Sequence, residues 1–138
     1  MYSFSDTTTT KPRACVYVPR NIKTTFLPQL STPDLAVVMT TCEMKDGAMD
    51  IVIASSYLPV DTPMPELTIA LVENCRRHGR QLIIGEDTNA YHNVWGSEDN
   101  NTRGDKLVEF LISTQAANRH LSRAAAKRGY ILPWQVGN

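Results

Sequence analysis

The most constraining feature of the sequence is a change of hydrophobic period in the middle of the chain. Met49–Pro59 is rich in β-forming residues, whereas Asp61–Arg80 places apolar residues at the spacing of an α-helix. A short apolar run, Gln81–Gly85, follows directly. A strand, a helix and a strand in this order predict a βαβ crossover in which the strands around Ile53 and Ile83 run parallel. The sequence is therefore expected to form an α/β domain.

Proline and glycine set the expected limits of the crossover helix. Pro63 and Pro65 are tolerated only in a first turn, and Gly79 is typical of a helix stop. The apolar stripe that is predicted to be buried consists of Leu67, Ala70, Leu71, Asn74 and Cys75.

The residues before the crossover predict further strands. Leu35–Met44 and Met49–Pro59 flank Lys45–Ala48, whose Asp-Gly pair is a strong hairpin signal. These two strands are therefore expected to be antiparallel neighbours. Arg13–Pro19 is rich in β-forming residues and predicts a strand that is buried on both faces. Asn21–Asp34 contains two prolines and predicts a short strand followed by a loop.

Composition limits the chain to one small globular domain. It has 138 residues, 42% of them hydrophobic, and a formal net charge of zero, so it has no overall attraction to nucleic acid or to a membrane surface. Residues 1–12 are polar and rich in Ser and Thr, and we expect them to be disordered. No apolar signal segment or membrane span is found, which predicts an intracellular protein. The three cysteines lack the spacing of a zinc site.

Polar residues follow the second strand of the crossover at its carboxyl end. Asp87 and Asn89 come just after the apolar run, and Tyr57 lies at the matching end of the other parallel strand. Because ligands bind beyond the carboxyl ends of parallel strands, these three side chains are expected to meet at one rim. Strand alternation is expected to aim Asp87 and Asn89 to the same side. Asp can accept a proton or bind a hard cation, and Asn can donate to a phosphate oxygen.

Structural interpretations compete with the functional ones for the residues of this segment. Asp87 and Asn89 are also common in turns that follow strands. His92 occupies the position at which an EF-hand loop requires Gly, which excludes a calcium loop. A single His is more often a hydrogen-bonded structural residue than a ligand, and Trp95 is more often a packed loop anchor than a platform for a base.

A second helix is expected after this polar segment. Thr102 and Asp105 form a loose capping pair, although Gly104 weakens the first turn. The buried face of this helix is predicted to consist of Leu107, Phe110 and Leu111.

Taken as a whole, Leu82–Leu111 resembles the endonuclease/exonuclease/phosphatase superfamily, and in particular the endonuclease domains of insect-type non-LTR retrotransposons. Those domains carry a strand, a Gly-Asp-x-Asn-Ala-x-His core, a Trp-Gly-Ser and an Asn-x-x-Gly before a helix. Upstream, Tyr57 and Pro59 resemble the Tyr-x-Pro of the same group, and the resemblance covers residues 12–113. The matching residues of the motif are Asp87, Asn89, Ala90, His92, Trp95, Gly96, Ser97, Asn101, Arg103 and Gly104.

The resemblance implies a fold and a reaction. The fold is an incomplete four-layer α/β sandwich with a mixed sheet and helices. It assigns residues 13–114 to a partial domain and residues 115–138 to a divergent basic tail. The implied reaction is hydrolysis of DNA phosphodiester bonds with a divalent metal, usually Mg²⁺. A nuclear location follows if the chain retains the role of the retrotransposon.

The resemblance also implies roles for single residues. Asp87 would activate or orient the attacking water, Asn89 would position the scissile phosphate, and Tyr57 would donate a hydrogen bond to a phosphate oxygen. The predicted metal ligands are Asp87 and Asn89. The residues predicted to bind substrate are His92, Trp95 and Arg103.

Three departures from the family pattern predict that this chain is inactive by itself. Glu86 stands where the family has Gly; it repels the Asp87 carboxylate if it faces the site and is harmless if it faces away. The family's metal-binding Glu has no counterpart, because Glu43 and Glu66 do not match it in position. The family's late Ser-Asp-His also has none, because the context of His120 does not match. The chain is therefore expected to be the middle of a nuclease domain, with open sheet edges and marginal stability or association.

Two other functions are left open by the sequence. A remnant without chemistry would bind nucleic acid through its acid-free tail, although a solvated basic helix face explains the same pattern. The basic residues of the tail are Arg119, Arg123, Lys127 and Arg128. A phosphomonoesterase of the same superfamily is the other alternative, and the Trp-Gly-Ser continuation argues against it. The sequence indicates no protein partner.

Overall fold

A computed structural model of the chain describes residues 11–60, 62–63, 66–113 and 130–131. Within these residues, five strands form one sheet in the order β1-β2-β3-β4-β5. The strands are β1 (Thr24–Phe26), β2 (Leu35–Met44), β3 (Gly47–Tyr57), β4 (Gln81–Asp87) and β5 (Tyr130–Ile131). The helices are α1 (Glu66–Arg77) and α2 (Thr102–Ser113), with short 3-10 helices at Pro28–Leu30 and Asn93–Trp95.

The hairpin and the crossover predicted from the sequence are both present. β2 and β3 are antiparallel and joined by Lys45 and Asp46, and Gly47 follows with φ 134°. β3 and β4 are parallel, with Ile53 opposite Ile83. β1 and β5 pair antiparallel with β2 and β4, so the parallel pair lies inside the sheet. A mixed sheet with helices is the predicted fold class, which is confirmed.

Strand alternation gives the sheet two faces with different neighbours. On the helix face, the core consists mainly of Val37, Val52, Ala54, Leu82 and Ile84, packed with Leu71 and Cys75 of α1 and Leu107 and Leu111 of α2. On the second face, Ala14 and Val16 pack against Ala36 and Val38. At the carboxyl ends of β3 and β4, successive side chains therefore point alternately toward the helices and toward the second face.

The prediction of a strand buried on both faces at Arg13–Pro19 is wrong. Ala14 and Val16 are buried, whereas Cys15 and Tyr17 are exposed. The backbone N–H groups of Arg13 and Ala14 both donate to the carbonyl of Pro33. The segment lies across the second face of the sheet with one side to solvent, and for this reason its β-forming residues are not all buried.

The crossover helix begins at Glu66 and ends where predicted, since Gly79 has the left-handed φ of 63°. Its buried stripe is displaced from the predicted one. Leu67 and Ala70 are exposed. The buried residues are Thr68, Leu71, Val72 and Cys75. A polar residue, Thr68, belongs to this stripe because the sheet below it carries a buried polar residue, Glu86. Pro63 precedes the helix, and Pro65 lies outside the described residues.

The second helix has the predicted buried residues but a different cap. Leu107 and Leu111 are buried, and Phe110 packs against the same core. The side chain of Asn101, one residue before the helix, accepts a hydrogen bond from the backbone N–H of Gly104 at 2.7 Å. Asn101 is therefore the capping residue, and Thr102 is already helical.

The ends of the chain lie mostly outside the described residues. The predictions for residues 1–12 and for the basic tail, including Arg119, Arg123, Lys127 and Arg128, concern positions that fall there almost entirely. Residues 130–138 are expected to be irregular, and this is wrong for Tyr130 and Ile131, which pair with Glu86 and Gly85 of β4. In the part of the chain that is described, no helix has the length and apolar character needed to cross a membrane.

Candidate active site at the carboxyl ends of β3 and β4

Tyr57 and Asp87 lie side by side at the carboxyl ends of the two parallel strands. They are directly paired in the β3–β4 register, and both side chains belong to the second face of the sheet. Asp87 is exposed and Tyr57 is half-buried. The sequence predicted that Asp87 would lie just beyond the strand. In the structure, Asp87 is instead the last residue of β4. We call Tyr57 and Asp87 the strand-end pair.

Asn89 lies beside the strand-end pair, although not by strand alternation. The chain leaves the sheet after Asp87, and Asn89 has a left-handed φ of 49°. Its side-chain Nδ2 donates to the carbonyl of Leu58 at 3.0 Å, and Leu58 in turn donates its N–H to the carbonyl of Asp87 at 2.8 Å. The three residues predicted to share a rim are thus brought together, but a turn, not an extended strand, positions Asn89.

The segment from Thr88 to Gly104, which we call the motif loop, uses its polar side chains for its own structure. His92 accepts a hydrogen bond at Nδ1 from the N–H of Val94 at 3.1 Å, and its Nε2 lies 3.5 Å from a carboxylate oxygen of Asp105. Its ring centre is 5.3 Å from that of Trp95. Both ring nitrogens therefore have partners, as the structural interpretation expects.

Trp95 is an anchor in the core beneath the motif loop. Only 2% of the residue is exposed. Its Nε1–H donates to the carbonyl of Ala90 at 3.2 Å, which satisfies the indole when it is buried. In this conformation neither face of the ring is available to a base, so substrate binding by Trp95 stays a prediction without support from its position.

Arg103 connects the motif loop to the segment that follows β3. Its two terminal nitrogens donate to five backbone carbonyls. These belong to Leu58, Pro59, Val60, Thr62 and Thr88. The distances to Pro59 and Val60 are both 2.7 Å. Substrate binding by Arg103 was predicted from the resemblance, whereas the carbonyl contacts had no signal in the sequence because their acceptors are backbone atoms.

Gly104 is required by a close approach of two backbone segments. A Cβ at this position would lie 2.0 Å from the carbonyl oxygen of Tyr91. From the sequence, Gly104 was expected only to weaken the first turn of the helix, whereas the structure shows that the start of α2 lies so close to Tyr91 that any side chain is excluded.

Glu86 faces away from the strand-end pair and into the helix face of the sheet. It is 2% exposed. Burial raises the pKa of its carboxyl group to about 7, and contacts with Ser56 and Thr68 and the charge of Arg103 offset part of that effect. Within the described residues, its Oε1 has no hydrogen-bond partner. Glu86 does not crowd Asp87, but it is not harmless, because it places an acid in the core.

Arg13 and Asp34 form an ion pair beside Tyr57 that sequence reasoning missed. Two nitrogens of Arg13 each lie 2.6 Å from a carboxylate oxygen of Asp34. The guanidinium carbon is 5.1 Å from the centre of the Tyr57 ring, and the carbonyl of Asp34 accepts the N–H of Tyr57 at 2.8 Å. The hydrogen bond with Asp34 raises the pKa of Arg13. No local pattern joins residues that are 21 positions apart.

A cleft of about 360 Å³ adjoins the strand-end pair. Its lining includes Asp34, Ser56, Tyr57, Glu66 and Thr68, so it lies between the carboxyl end of β3 and the start of α1. Tyr57 belongs to both the cleft and the strand-end pair, whereas Asp87 and Asn89 do not line the cleft.

The oxygen atoms of Asp87 and of its neighbour Asn89 fit a weakly held magnesium ion. Asp87 offers an exposed carboxylate, and the Oδ1 of Asn89 is unused in the hydrogen bonds of the described residues. Mg²⁺ is commonly held by one or two carboxylates together with substrate phosphates and water. The described part of the chain contains no group of three or more His, Cys, Asp or Glu side chains that would hold a metal alone.

Comparison with known proteins identifies the family. The sequence matches the family described as Endonuclease-reverse transcriptase over residues 51–129, which is more than half of the chain. This chain belongs to that family. The structure is similar to the endonuclease domain of TRAS1, a telomere-specific non-LTR retrotransposon, with a TM-score of 0.55 and 28% sequence identity. That similarity covers 70% of this chain and 42% of the other. No curated protein matches the sequence.

Membership in the endonuclease–reverse transcriptase family confirms the resemblance drawn from the motif. The described sheet and helices are those of an endonuclease-type α/β domain, and the chain spans less than half the length of the TRAS1 domain. Nucleases and phosphatases of this type generally use divalent metals.

Proposed function

We propose that the endonuclease domain to which this chain contributes hydrolyses phosphodiester bonds of DNA with a divalent metal, and that the strand-end pair is part of its catalytic site. The observation that carries the proposal is the direct pairing of Tyr57 with Asp87 at the carboxyl ends of the parallel strands. Asp87 is exposed, so its carboxylate is free to meet a metal ion or a water molecule. DNA as the substrate is supported by the similarity to a retrotransposon endonuclease domain.

The proposed roles follow from the chemistry of each side chain. Asp87 orients the attacking water, and its carboxylate together with the amide oxygen of Asn89 would hold Mg²⁺. Tyr57 donates its phenolic hydrogen to a phosphate oxygen, and Asn89 positions the scissile phosphate. When it is bound, the metal supplies positive charge for the phosphate and the leaving oxygen.

We further propose that the chain does not cleave DNA by itself. Only one carboxylate belongs to the strand-end pair, and no cluster of three potential ligands exists in the described residues. A complete site would need a second acidic ligand and a general acid for the leaving oxygen. Action on chromosomal DNA would require a nuclear location.

Metal binding gives a test that does not depend on turnover. Mn²⁺ is paramagnetic and binds the same oxygen ligands as Mg²⁺, so we expect it to broaden the amide NMR signals of residues 57–58 and 87–89 first. Asp87→Asn should abolish this selective broadening. Asp99→Asn is the matched control, because Asp99 is an exposed acid of the motif loop, and it should leave the broadening unchanged.

Nicking of supercoiled plasmid tests the chemistry. We expect the chain alone to leave the plasmid intact in Mg²⁺. Nicking that Asp87→Asn abolishes would contradict the proposed inactivity and strengthen the proposed hydrolysis. Absence of both nicking and selective Mn²⁺ broadening at Asp87 would overturn the assignment of the site.

The other functions have less support. Nucleic-acid binding through the basic tail concerns residues that lie outside the described part of the chain. A phosphomonoesterase of the same superfamily is disfavoured because the matched family is one of endonucleases. Salt-dependent retention of DNA, compared before and after deletion of residues 115–138, distinguishes binding by the tail from binding at the strand-end pair.

A further inference from the structure

Arg13 is held over Tyr57, one member of the strand-end pair, by both its main chain and its side chain. Its backbone N–H donates to the carbonyl of Pro33 at 2.7 Å. Its guanidinium pairs with both carboxylate oxygens of Asp34 and lies at a cation–π distance, 5.1 Å, from the Tyr57 ring centre. Arg13 lies outside residues 51–129, over which the family matches, so the family match does not include it.

We propose that Arg13 is a phosphate-binding residue of this site, which contacts a backbone phosphate of the nucleic acid next to the bond at Asp87. The inference rests on the proposed function, since it takes nucleic acid as the substrate. It adds a contact on the side of Tyr57 that the motif does not supply.

The hydrogen-bonding capacity of Arg13 supports this role. A guanidinium has five N–H donors, and Asp34 accepts two of them, one from Nε and one from Nη2. The other donors have no partner among the described residues. The side chain is 49% exposed, so these donors are accessible to a ligand. The fork of an arginine that is already fixed on one side suits a phosphate oxygen on the other.

Arg103 shows by contrast why Arg13 is the cation available to substrate. Arg13 lies over the ring of Tyr57, and Arg103 lies near the carbonyl of the next residue, Leu58. Both terminal nitrogens of Arg103, however, donate to backbone carbonyls. The other charged groups beside Tyr57 are the carboxylates of Asp34 and Asp87. A phosphate that approaches Asp87 therefore needs a positive group, and Arg13 supplies it.

The ion pair itself does not explain the arrangement as a stability device. Arg13 and Asp34 are 49% and 32% exposed, and ion pairs at such positions add little to the stability of a fold. Their pairing at two matched distances instead fixes where the guanidinium points. Orientation of a cation at a rim is useful for binding an anion.

Salt dependence of DNA binding tests the proposal. Affinity for a short fluorescein-labelled DNA duplex is measured by anisotropy at several salt concentrations, with Ca²⁺ present to prevent turnover. Each phosphate contact contributes about 0.9 to the slope of log K against log salt. We expect Arg13→Gln to lower this slope by about 0.9. A residue that only supports the fold would leave the slope unchanged.

Two control variants separate binding from structure. Asp34→Asn removes the carboxylate charge but keeps the positive charge of Arg13 and a side-chain oxygen that accepts from it, so the guanidinium keeps its orientation and the variant should retain the wild-type slope. Arg20→Gln removes another exposed arginine, which lies just after the segment Arg13–Pro19, and it should also retain the slope. A slope that is unchanged in Arg13→Gln, or lowered equally in Arg13→Gln and Asp34→Asn, would overturn the phosphate contact.

The inference and the proposed function fail in different ways. If the wild-type chain binds DNA but Arg13→Gln has the same salt-dependence slope as the wild type, the inference alone is wrong. If the slope falls as expected but Mn²⁺ shows no preference for Asp87, the proposed hydrolysis is wrong and the phosphate contact stands. If the wild-type chain does not bind the duplex at any salt concentration, both are wrong.

Discussion

At the strand-end pair, the carboxylate of Asp87 is exposed, whereas in the motif loop the guanidinium of Arg103 donates to five backbone carbonyls. Both residues belong to one sequence motif. His92, Trp95 and Gly104 follow the pattern of Arg103, because each is committed to contacts inside the fold. The motif therefore combines a small reactive part with a larger structural part. Retention of such a motif indicates the fold more strongly than it indicates activity.

The largest expected effect comes from Gly104 in the structural part. Gly104→Ala should lower the free energy of unfolding by about 3–5 kcal/mol, because the new Cβ would overlap the carbonyl of Tyr91 and a backbone would have to move. Urea unfolding measures the change. Gly79→Ala is the control, since Gly79 has a positive φ but open space around it, and it should cost about 1 kcal/mol. Equal losses would show that the close approach of Gly104 to Tyr91 does not have the predicted effect on stability.

The buried acid beside the reactive part gives a pH effect of similar size. The folded-state pKa of Glu86 is raised from 4.5 to about 7, so the folded chain holds a proton that the unfolded chain releases. The stability from this group is complete below pH 4.5 and is lost as pH rises to about 7, a change of about 3 kcal/mol. Urea unfolding between pH 5 and pH 8 should show this decline.

Glu86→Gln should remove the decline and make the chain more stable than wild type at pH 8, because a neutral amide replaces the buried charge. Glu73→Gln is the matched control on the exposed side of α1 and should leave the decline in place. A decline that persists in Glu86→Gln would show that another group causes it.

Arg103 should affect stability by a smaller amount. Arg103→Gln removes the donor for several carbonyls between Leu58 and Thr88 and should cost about 2 kcal/mol in the free energy of unfolding. Lys106→Gln changes an exposed cation of the same helix and should be nearly neutral. If both variants unfold like the wild type, the motif loop does not depend on Arg103, and Arg103 does not belong to the structural part of the motif.

Asp87 should have the smallest effect on stability. Asp87→Asn is expected to change the free energy of unfolding by less than about 0.5 kcal/mol, because the side chain is exposed and no hydrogen bond to it is found in the described residues. A loss as large as that of Arg103→Gln would place Asp87 with the structural part of the motif and end the distinction between the two regions.

The sequence predicted the centre of the fold because local signals determine it. The Asp-Gly of the hairpin, the period of α1 and its stop at Gly79 are all properties of short segments, and they define the order of β2, β3 and β4. The segment at Arg13 was predicted wrongly because burial of its second side depends on a neighbouring strand, which is a non-local property. The buried stripe of α1 differs from the predicted one because Thr68 is buried near Glu86, a polar residue on another element, β4.

The candidate site was predictable to the same extent. Tyr57 and Asp87 follow from the rule that parallel strands end at one edge, so their meeting needed no contact information. The Arg13–Asp34 pair joins two distant segments, and the acceptors of Arg103 are backbone oxygens that no sequence pattern marks. Glu86 was noticed as a departure, but its direction is set by the side of β4 that the helices cover.

The hairpin turn at Lys45 and Asp46 lies at the far end of β3 from Tyr57. β3 has 11 residues, so this turn is roughly 35 Å from the strand-end pair. Both turn residues are exposed and polar. A fluorophore or a surface tether attached at this turn would report on the protein without touching a ligand at the strand-end pair, which makes it the natural point for immobilising the chain in single-molecule experiments.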